Sequence, residues 1–169
     1  MTVQLLPAAY LRQPTLHGDT VVFVSDDDLW RVGVGGGVAH RLTAGLGEPA
    51  TPCLSPDGQW LAFISRDEAH GEVWLMPAIG GAAKRLTWLG ADTAVRGWTP
   101  DGQVLFCSNH GQPFFRNWHA FTLGVQGGVP ERLALGQVNH LSWGSGGRDR
   151  KSTRLNSSHI QKSRMPSSA

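Results

Sequence analysis

The chain has 169 residues, of which 40% are hydrophobic and 17% charged, and its formal net charge is +2 with neutral histidines. The charge is unevenly distributed: residues 148–169 carry six Lys or Arg and one Asp, a net +5, which leaves −3 for residues 1–147. A mildly acidic body argues against a nucleic-acid surface, because such a surface needs clustered Lys and Arg to neutralise phosphates.

The amino terminus and the cysteines point to the cytoplasm. Residues 1–10 lack a cationic start followed by a long apolar run, and no segment approaches 18 apolar residues, so neither export nor membrane insertion is predicted. Cys53 and Cys107 form no Cys-x-x-Cys motif, which disfavours a disulfide framework or a zinc knuckle. Cys107 follows Phe106 in a predicted strand and is expected to be a small buried hydrophobe.

Taken in order, the elements are copies of one repeat. The first copy spans residues 14–47 and opens on the turn His17-Gly18-Asp19. The second, residues 48–90, is the most complete: a short strand at Cys53-Leu54 meets the turn Pro56-Asp57-Gly58, in which Pro presets φ and Gly accepts a positive φ. Further strands are predicted, in order, over residues 59–65, 73–78 and 84–88.

The third copy spans residues 91–136 and is enlarged by His110–Asn117, which Pro113 places in a connecting loop. A fourth copy begins at residues 137–147, where Leu141-Ser142-Trp143 parallels residues 95–98 before the pattern stops. Residues 148–169 are predicted to be disordered and non-native, because they resemble a translated cloning adapter. A native basic tail is the alternative.

Several markers recur in one order along these copies. Pro-Asp-Gly occurs at Pro56 and again 44 residues later at Pro100, and paired glycines are spaced by 44 and 47 residues. Arg-Leu-Thr occurs at Arg41 and Arg85, and becomes Arg-Leu-Ala at Arg132. Four antiparallel strands in about forty residues make one blade of a β-propeller. The predicted fold is therefore all-β: a partial β-propeller of about three four-stranded antiparallel blades plus the start of a fourth. Such an arc is expected to leave two apolar blade faces uncovered.

None of the candidate catalytic or ligand-binding motifs in the sequence is complete. Trp143-Gly144-Ser145-Gly146-Gly147 has Trp in the first Gly position of Gly-x-Ser-x-Gly. Gly33–Gly37 is followed by Val38 and does not complete a dinucleotide fingerprint, and Asp26-Asp27-Asp28 lacks the spacing of a calcium loop. No catalytic, cofactor-binding or metal-binding residue is predicted, and no cofactor.

Two weaker features remain. The first is the densest polar cluster, which has no metal-ligand spacing and is interpreted as a variable surface loop; it consists of Asn109, His110, Asn117 and His119. The second is Arg96, predicted near the inner strand of the third copy. It is the candidate channel-lining residue, because a guanidinium suits a peptide carboxylate. Trp60, Trp74 and Trp98 are expected to pack between blades.

Residues 16–30, followed by Arg41-Leu42-Thr43, resemble the start of the tricorn protease family. The Ser-Pro-Asp-Gly repeats are similar to those of that family and of TolB-like propellers. The resemblance covers residues 1 to about 146. It implies a large cytoplasmic serine peptidase, homo-oligomeric, with propellers of six and seven blades ahead of a catalytic region that contains a PDZ module. This chain corresponds to the first half of the six-bladed propeller, so the catalytic Ser and His of the family have no counterpart here.

Three functions follow from the resemblance and the repeats. The preferred one is a non-catalytic propeller segment of a tricorn-like peptidase, which guides or gates peptides to or from the active site and contacts the remaining blades and the catalytic region. The alternative is a TolB-like or WD-repeat-like scaffold for protein interactions. A prolyl-oligopeptidase-type propeller is the third.

Overall fold

The computed structural model describes residues 10–67 and 69–143, which form three antiparallel four-stranded sheets. In each sheet the strands lie in chain order, so every sheet is a meander. Blade 1 consists of β1 Arg12–His17, β2 Thr20–Ser25, β3 Asp28–Gly33 and β4 His40–Arg41. Blade 2 consists of β5 Ala50–Leu54, β6 Trp60–Ser65, β7 Glu72–Pro77 and β8 Lys84–Arg85. Blade 3 consists of β9 Thr93–Trp98, β10 Val104–Ser108, β11 His119–Leu123 and β12 Glu131–Arg132.

The first turn of blade 2 shows why Pro-Asp-Gly recurs in the sequence. Asp57 Oδ1 accepts hydrogen bonds from Ser55 Oγ (2.5 Å) and from the Gln59 backbone N–H (3.0 Å), and Gly58 has φ +70°. These two bonds, the Ser55 hydroxyl first, lower the pKa of the Asp57 carboxyl. The chain therefore reverses between β5 and β6 on a turn that Ser55, Asp57 and Gly58 stabilise.

Both faces of the sheets carry apolar residues, because each blade packs on its neighbours. Between blades 1 and 2, Val22, Leu29 and Phe63 are buried completely, and between blades 2 and 3, Ala62 and Phe106 are. Trp60 and Trp74 pack against these clusters and Trp98 belongs to one, as predicted. The all-β propeller prediction is confirmed by the three sheets. Within the described residues, no helix is long and apolar enough to cross a membrane.

The outermost strands are shorter than the sequence predicts. β8 ends at Arg85, although the pattern extends to residue 88. β8 ends early because of a side chain. The Thr87 hydroxyl accepts the Val73 backbone N–H at 2.9 Å, in place of a backbone carbonyl of a longer β8. A buried hydroxyl thus ends the ladder after two residues.

Residues 137–143 form no strand, and the start of a fourth blade stays a prediction. Val138 and Leu141 nevertheless pack on the face of blade 3 that points away from blade 2, together with the fully buried Leu105 and Cys107. This face is therefore not open, contrary to the expectation of two uncovered faces. The predicted foreign tail, residues 148–169, lies outside the described residues.

Ser65 offers a direct test of the packing at the end of β6. Its hydroxyl is buried and has no hydrogen-bond partner among the described residues, whereas the corresponding Ser108 of blade 3 pairs with Thr93 Oγ1 at 3.2 Å. The residue before Ala50, at the place of Thr93, is Pro49, which has no hydroxyl.

We expect Ser65→Ala to raise the free energy of unfolding by about 1 kcal/mol, because it removes an unsatisfied buried hydroxyl. Ser108→Ala is the matched control and should lower it by about 1 kcal/mol. Urea unfolding followed by tryptophan fluorescence measures both. Equal losses in the two variants would contradict this account.

Candidate functional site

The surface that the fold places at the centre of the arc is formed by the three first strands of the blades. β1, β5 and β9 each lie at one edge of their own sheet, and β5 contacts both of the others. We call them the innermost strands. Because each pairs on one side only, their free edges form a continuous inner wall.

Each innermost strand is interrupted by a β-bulge. The register shifts between Arg12 and Thr15 in β1, between Ala50 and Cys53 in β5, and opposite Leu105–Phe106 in β9. In the first two bulges the backbone is left-handed at Gln13 (φ +50°) and Thr51 (φ +47°). A β-branched residue seldom adopts such a φ, so the Thr51 conformation is held by its surroundings.

Side chains from one innermost strand bond the backbone of the next, which explains how these bulges are held. The Thr51 N–H donates to Gln13 Oε1 (2.6 Å), and the Val95 N–H donates to Thr51 Oγ1 (3.2 Å). Trp98 Nε1 donates to the Cys53 carbonyl at 3.0 Å. The bulges therefore sit at the points where the blades are joined.

Arg96, the candidate channel-lining residue, is the extra residue of the bulge in β9. It is half-buried, and its Nε is buried without a hydrogen-bond partner among the described residues. Burial raises the pKa of the Cys107 thiol, and the nearby Arg96 guanidinium opposes that rise. The guanidinium thus lies beside Cys107. That Arg96 faces a channel stays a prediction.

Cys107 is fully buried and Cys53 partly buried, and both thiols are free. Burial is also the main cause that raises the pKa of Cys53. A raised pKa keeps a thiol protonated near neutral pH and poorly nucleophilic. Cys107 is therefore the small buried hydrophobe that the sequence predicted.

The sequence reading missed a buried ion network that explains the Arg-Leu-Thr marker. In blade 2, Glu72 is 3% exposed; its carboxylate accepts hydrogen bonds from Thr87 Oγ1 (2.5 Å) and the Gly90 N–H (2.8 Å), and it pairs with Arg85 at 3.5 Å. Thr87 Oγ1 also accepts the Val73 N–H. The network therefore ties the outermost strand and the exit of the blade to β7.

Blade 1 repeats this arrangement with a shorter acid. Thr43 Oγ1 donates to Asp28 Oδ1 (2.8 Å), the Leu29 N–H donates to Thr43 Oγ1 (2.9 Å), and Arg41 pairs with Asp28 Oδ2. An acid 15 residues ahead of Thr43 or Thr87 was the available signal. Asp28, one of the three acids considered for calcium, is thus used inside the blade.

Blade 3 replaces the acid by His119 and the Thr by Ala134. Nδ1 of His119 lies 2.7 Å from the Gly136 carbonyl oxygen, and Arg132 Nη2 lies 2.8 Å from Nδ1 and 3.2 Å from Nε2. Blade 3 therefore lacks both partners of the hydroxyl–carboxylate bond that blades 1 and 2 share.

The four residues of the predicted polar cluster have separate hydrogen-bond partners. His110 Nδ1 bonds the Leu89 carbonyl at 3.0 Å, Asn109 Nδ2 donates to the Phe115 carbonyl at 2.9 Å, and Asn117 contacts Gln137, while His119 serves the blade 3 network. Across residues 10–67 and 69–143, no three His, Cys, Asp or Glu side chains lie close enough together to hold a metal ion.

Comparison with known proteins agrees with this geometry. A family profile described as "Tricorn protease N-terminal beta propeller domain" matches residues 8–164. That range includes residues 148–164, whose foreign origin stays a prediction. "Tricorn protease homolog 1" of Streptomyces coelicolor is 42% identical over 137 residues, which are 80% of this chain and 13% of that protein. The chain thus spans about an eighth of this relative.

Solved structures show the same arrangement of blades. The crystal structure of the tricorn protease matches with a TM-score of 0.74 and 25% identity, over 82% of this chain and 14% of that one. TolB from Acinetobacter baumannii matches with a TM-score of 0.63 and 22% identity, over 79% and 34%, which shows a shared fold alone. The resemblance found in the sequence is confirmed: the chain belongs to the tricorn protease N-terminal β-propeller family.

Proposed function

We propose that this propeller segment guides or gates the passage of peptides to or from the active site of a cytoplasmic, homo-oligomeric serine peptidase, its parent protein, without supplying catalytic residues. The observation that carries the proposal is the inner wall. Three adjacent strand edges, joined by side chains across the blades, form a rigid arc whose concave side suits a channel. Family membership supplies the peptidase context.

Arg96 is the residue proposed to meet peptides on this wall. It lies in an innermost strand and is not fully buried. A guanidinium in this position can bind the terminal carboxylate of a peptide with two parallel hydrogen bonds. A TolB-like interaction scaffold is the competing function, and for it the structure offers likeness of fold only.

The test replaces the matching 137 residues of the Streptomyces coelicolor relative by those of this chain and compares Arg96→Gln with the unmodified chimera. We expect KM for a long peptide with a free carboxyl terminus to rise by about tenfold, since one charged hydrogen-bonding site contributes roughly 1.5–3 kcal/mol. Hydrolysis of a small fluorogenic substrate should not change.

Arg31→Gln is the matched control, because Arg31 is also half-buried but lies on β3, away from the innermost strands. Its kinetics should equal those of the chimera. Equal KM values for Arg96→Gln and Arg31→Gln would remove Arg96 from the proposal. If the chimera does not fold, titration of the same peptide into the isolated chain and its Arg96→Gln variant gives the same comparison.

A further inference from the structure

The first turns of neighbouring blades meet where the innermost strands end, and a cleft opens at one of these junctions. The turns after β5 and β9 both carry Pro-Asp-Gly, at residues 56–58 and 100–102. Between them lies a cleft of about 400 Å³, whose lining includes Asp57, Trp60 and Asp101. This volume is within the range of about 300–1,000 Å³ that is usual for ligand pockets.

At the other junction, between blades 1 and 2, the chain fills the same place with a side chain of its own. The imidazole of His17 lies against Gly58, where an added Cβ would be 2.6 Å from its Nδ1, and its Nε2 is 2.9 Å from the Pro56 carbonyl oxygen. Hydrogen bonds, from the Ser55 hydroxyl first, lower the pKa of Asp57, and the nearby His17 lowers it further. A planar side chain that bears nitrogen therefore occupies the first junction beside a carboxylate.

No side chain of the described residues takes that place between blades 2 and 3. Gly102 corresponds to Gly58, but a Cβ added there would meet nothing within 4 Å. Ser55 is the residue that matches His17, since it faces the start of β6 as His17 faces the start of β2. Its hydroxyl is used within its own turn, where it donates to Asp57 Oδ1 at 2.5 Å. The second junction is therefore open where the first is filled.

The open junction offers negative charge and an aromatic surface. Hydrogen bonds, from the Thr99 hydroxyl first, lower the pKa of Asp101, as those from Ser55 and the Gln59 N–H do for Asp57, and a lowered pKa keeps a carboxyl ionised at neutral pH. In the part of the chain that the structure describes, neither carboxylate pairs with a Lys or Arg. Trp60 lines the cleft and is only half-buried, so its indole is accessible to a cation.

We propose that this cleft binds an arginine side chain of a peptide that passes along the inner wall. A guanidinium is planar, as the His17 imidazole is; its fork of donors suits two carboxylates, and its face stacks on an indole. β9 ends at Trp98, which itself lines the cleft, so a peptide on the inner wall reaches this site. The inference rests on the proposed function, to which it adds a preference for peptides that contain arginine.

The test measures the binding of short peptides to the chain by the change in tryptophan fluorescence. The probe is acetyl-Gly-Gly-Arg-Gly-Gly-amide, and the comparison peptide has citrulline in place of arginine, because citrulline keeps the planar shape but lacks the charge. Both peptides are amidated, so neither brings a carboxylate to Arg96. We expect the arginine peptide to bind about tenfold or more tightly, since charge-assisted hydrogen bonds are the stronger ones.

The double variant Asp57→Asn/Asp101→Asn should bind the arginine peptide about tenfold more weakly and leave binding of the citrulline peptide unchanged. Asparagine keeps an acceptor oxygen for the bonds within each turn, and both positions are exposed, so the melting temperature should stay unchanged. The matched control is Asp67→Asn/Glu131→Gln, which removes two exposed carboxylates outside the cleft. It should bind the arginine peptide like wild type.

Equal affinity for the two peptides would overturn the inference, because the charge of arginine would then have no role. Equal weakening in both double variants would do so as well, since the effect would not belong to this cleft, and so would absence of binding to the wild-type chain. None of these outcomes decides the proposed function, whose test depends on Arg96 and a free carboxyl terminus. Arg96→Gln should bind the amidated arginine peptide like wild type, and weaker binding by this variant would place the arginine elsewhere.

Discussion

Replacement of Glu72 by alanine is expected to lower the free energy of unfolding by about 3–5 kcal/mol, the usual result of breaking a buried ion pair from one side. The carboxylate is 3% exposed, and it accepts hydrogen bonds from Thr87 and from the Gly90 N–H as well as pairing with Arg85. Its removal leaves these donors facing a small cavity from which water is largely excluded.

Glu72→Gln separates charge from hydrogen bonding in this network. The amide keeps the shape of the side chain and an acceptor oxygen for Thr87 but removes the negative charge beside Arg85, so a smaller loss than in Glu72→Ala is expected. Glu131→Ala is the control, because Glu131 is exposed on β12 and should change stability by less than about 0.5 kcal/mol. Guanidinium unfolding of all four proteins measures the series. A loss below about 1 kcal/mol for Glu72→Ala, the value of one ordinary hydrogen bond, would show that the network is not cooperative.

Gly47→Ala is expected to destabilise the chain by about 3 kcal/mol or more, because both backbone strain and a collision with backbone oppose the new methyl group. Gly47 has φ +68°, and a Cβ there would lie 2.2 Å from the Arg66 carbonyl oxygen and 2.8 Å from the Asp67 nitrogen. Backbone atoms cannot rotate away as a side chain can, so the connection between blades 1 and 2 and the loop after β6 must separate.

Gly90 provides the comparison, since it occupies the corresponding place between blades 2 and 3. Its φ is +58°, but a Cβ would meet nothing within 4 Å. Gly90→Ala should therefore cost only the left-handed conformation, about 1–2 kcal/mol. Thermal and urea unfolding distinguish the two substitutions. If Gly90→Ala proves as harmful as Gly47→Ala, strain alone explains the effect and the close approach to Arg66 is irrelevant.

The number and order of strands were predictable because every blade repeats the same turn chemistry. Pro56-Asp57-Gly58 and its later copy mark where a strand must reverse, and alternating apolar residues around Phe63 mark the strands between. The ends of the outer strands were not predictable from propensity. β8 stops because the Thr87 hydroxyl takes a backbone N–H, and that contact depends on residues 14 positions apart.

The inner wall was only partly predictable. The repeat pattern predicted that Arg96 lies near an innermost strand, but it did not predict the bulge that leaves Arg96 without a pairing partner on β10. Nothing in a single sequence shows that Gln13 reaches across to the Thr51 N–H. Likewise the sequence around Glu72 looks like that of any acidic residue next to a turn. Its role follows only from its contacts with Arg85 and Thr87. Contacts between separate repeats have no local signal.

The β-bulges in the innermost strands also limit which peptides these strand edges can bind. A straight, unpaired strand edge captures extended polypeptides by adding them to the sheet. Here the N–H groups of Thr51, Leu54 and Val95 are already taken by side chains of the preceding blade, and each edge bends at its bulge. An extended peptide brought against this surface finds no ladder long enough to join. Under the proposed function, this property would let a passing peptide move along the inner wall without becoming an additional strand of the sheet.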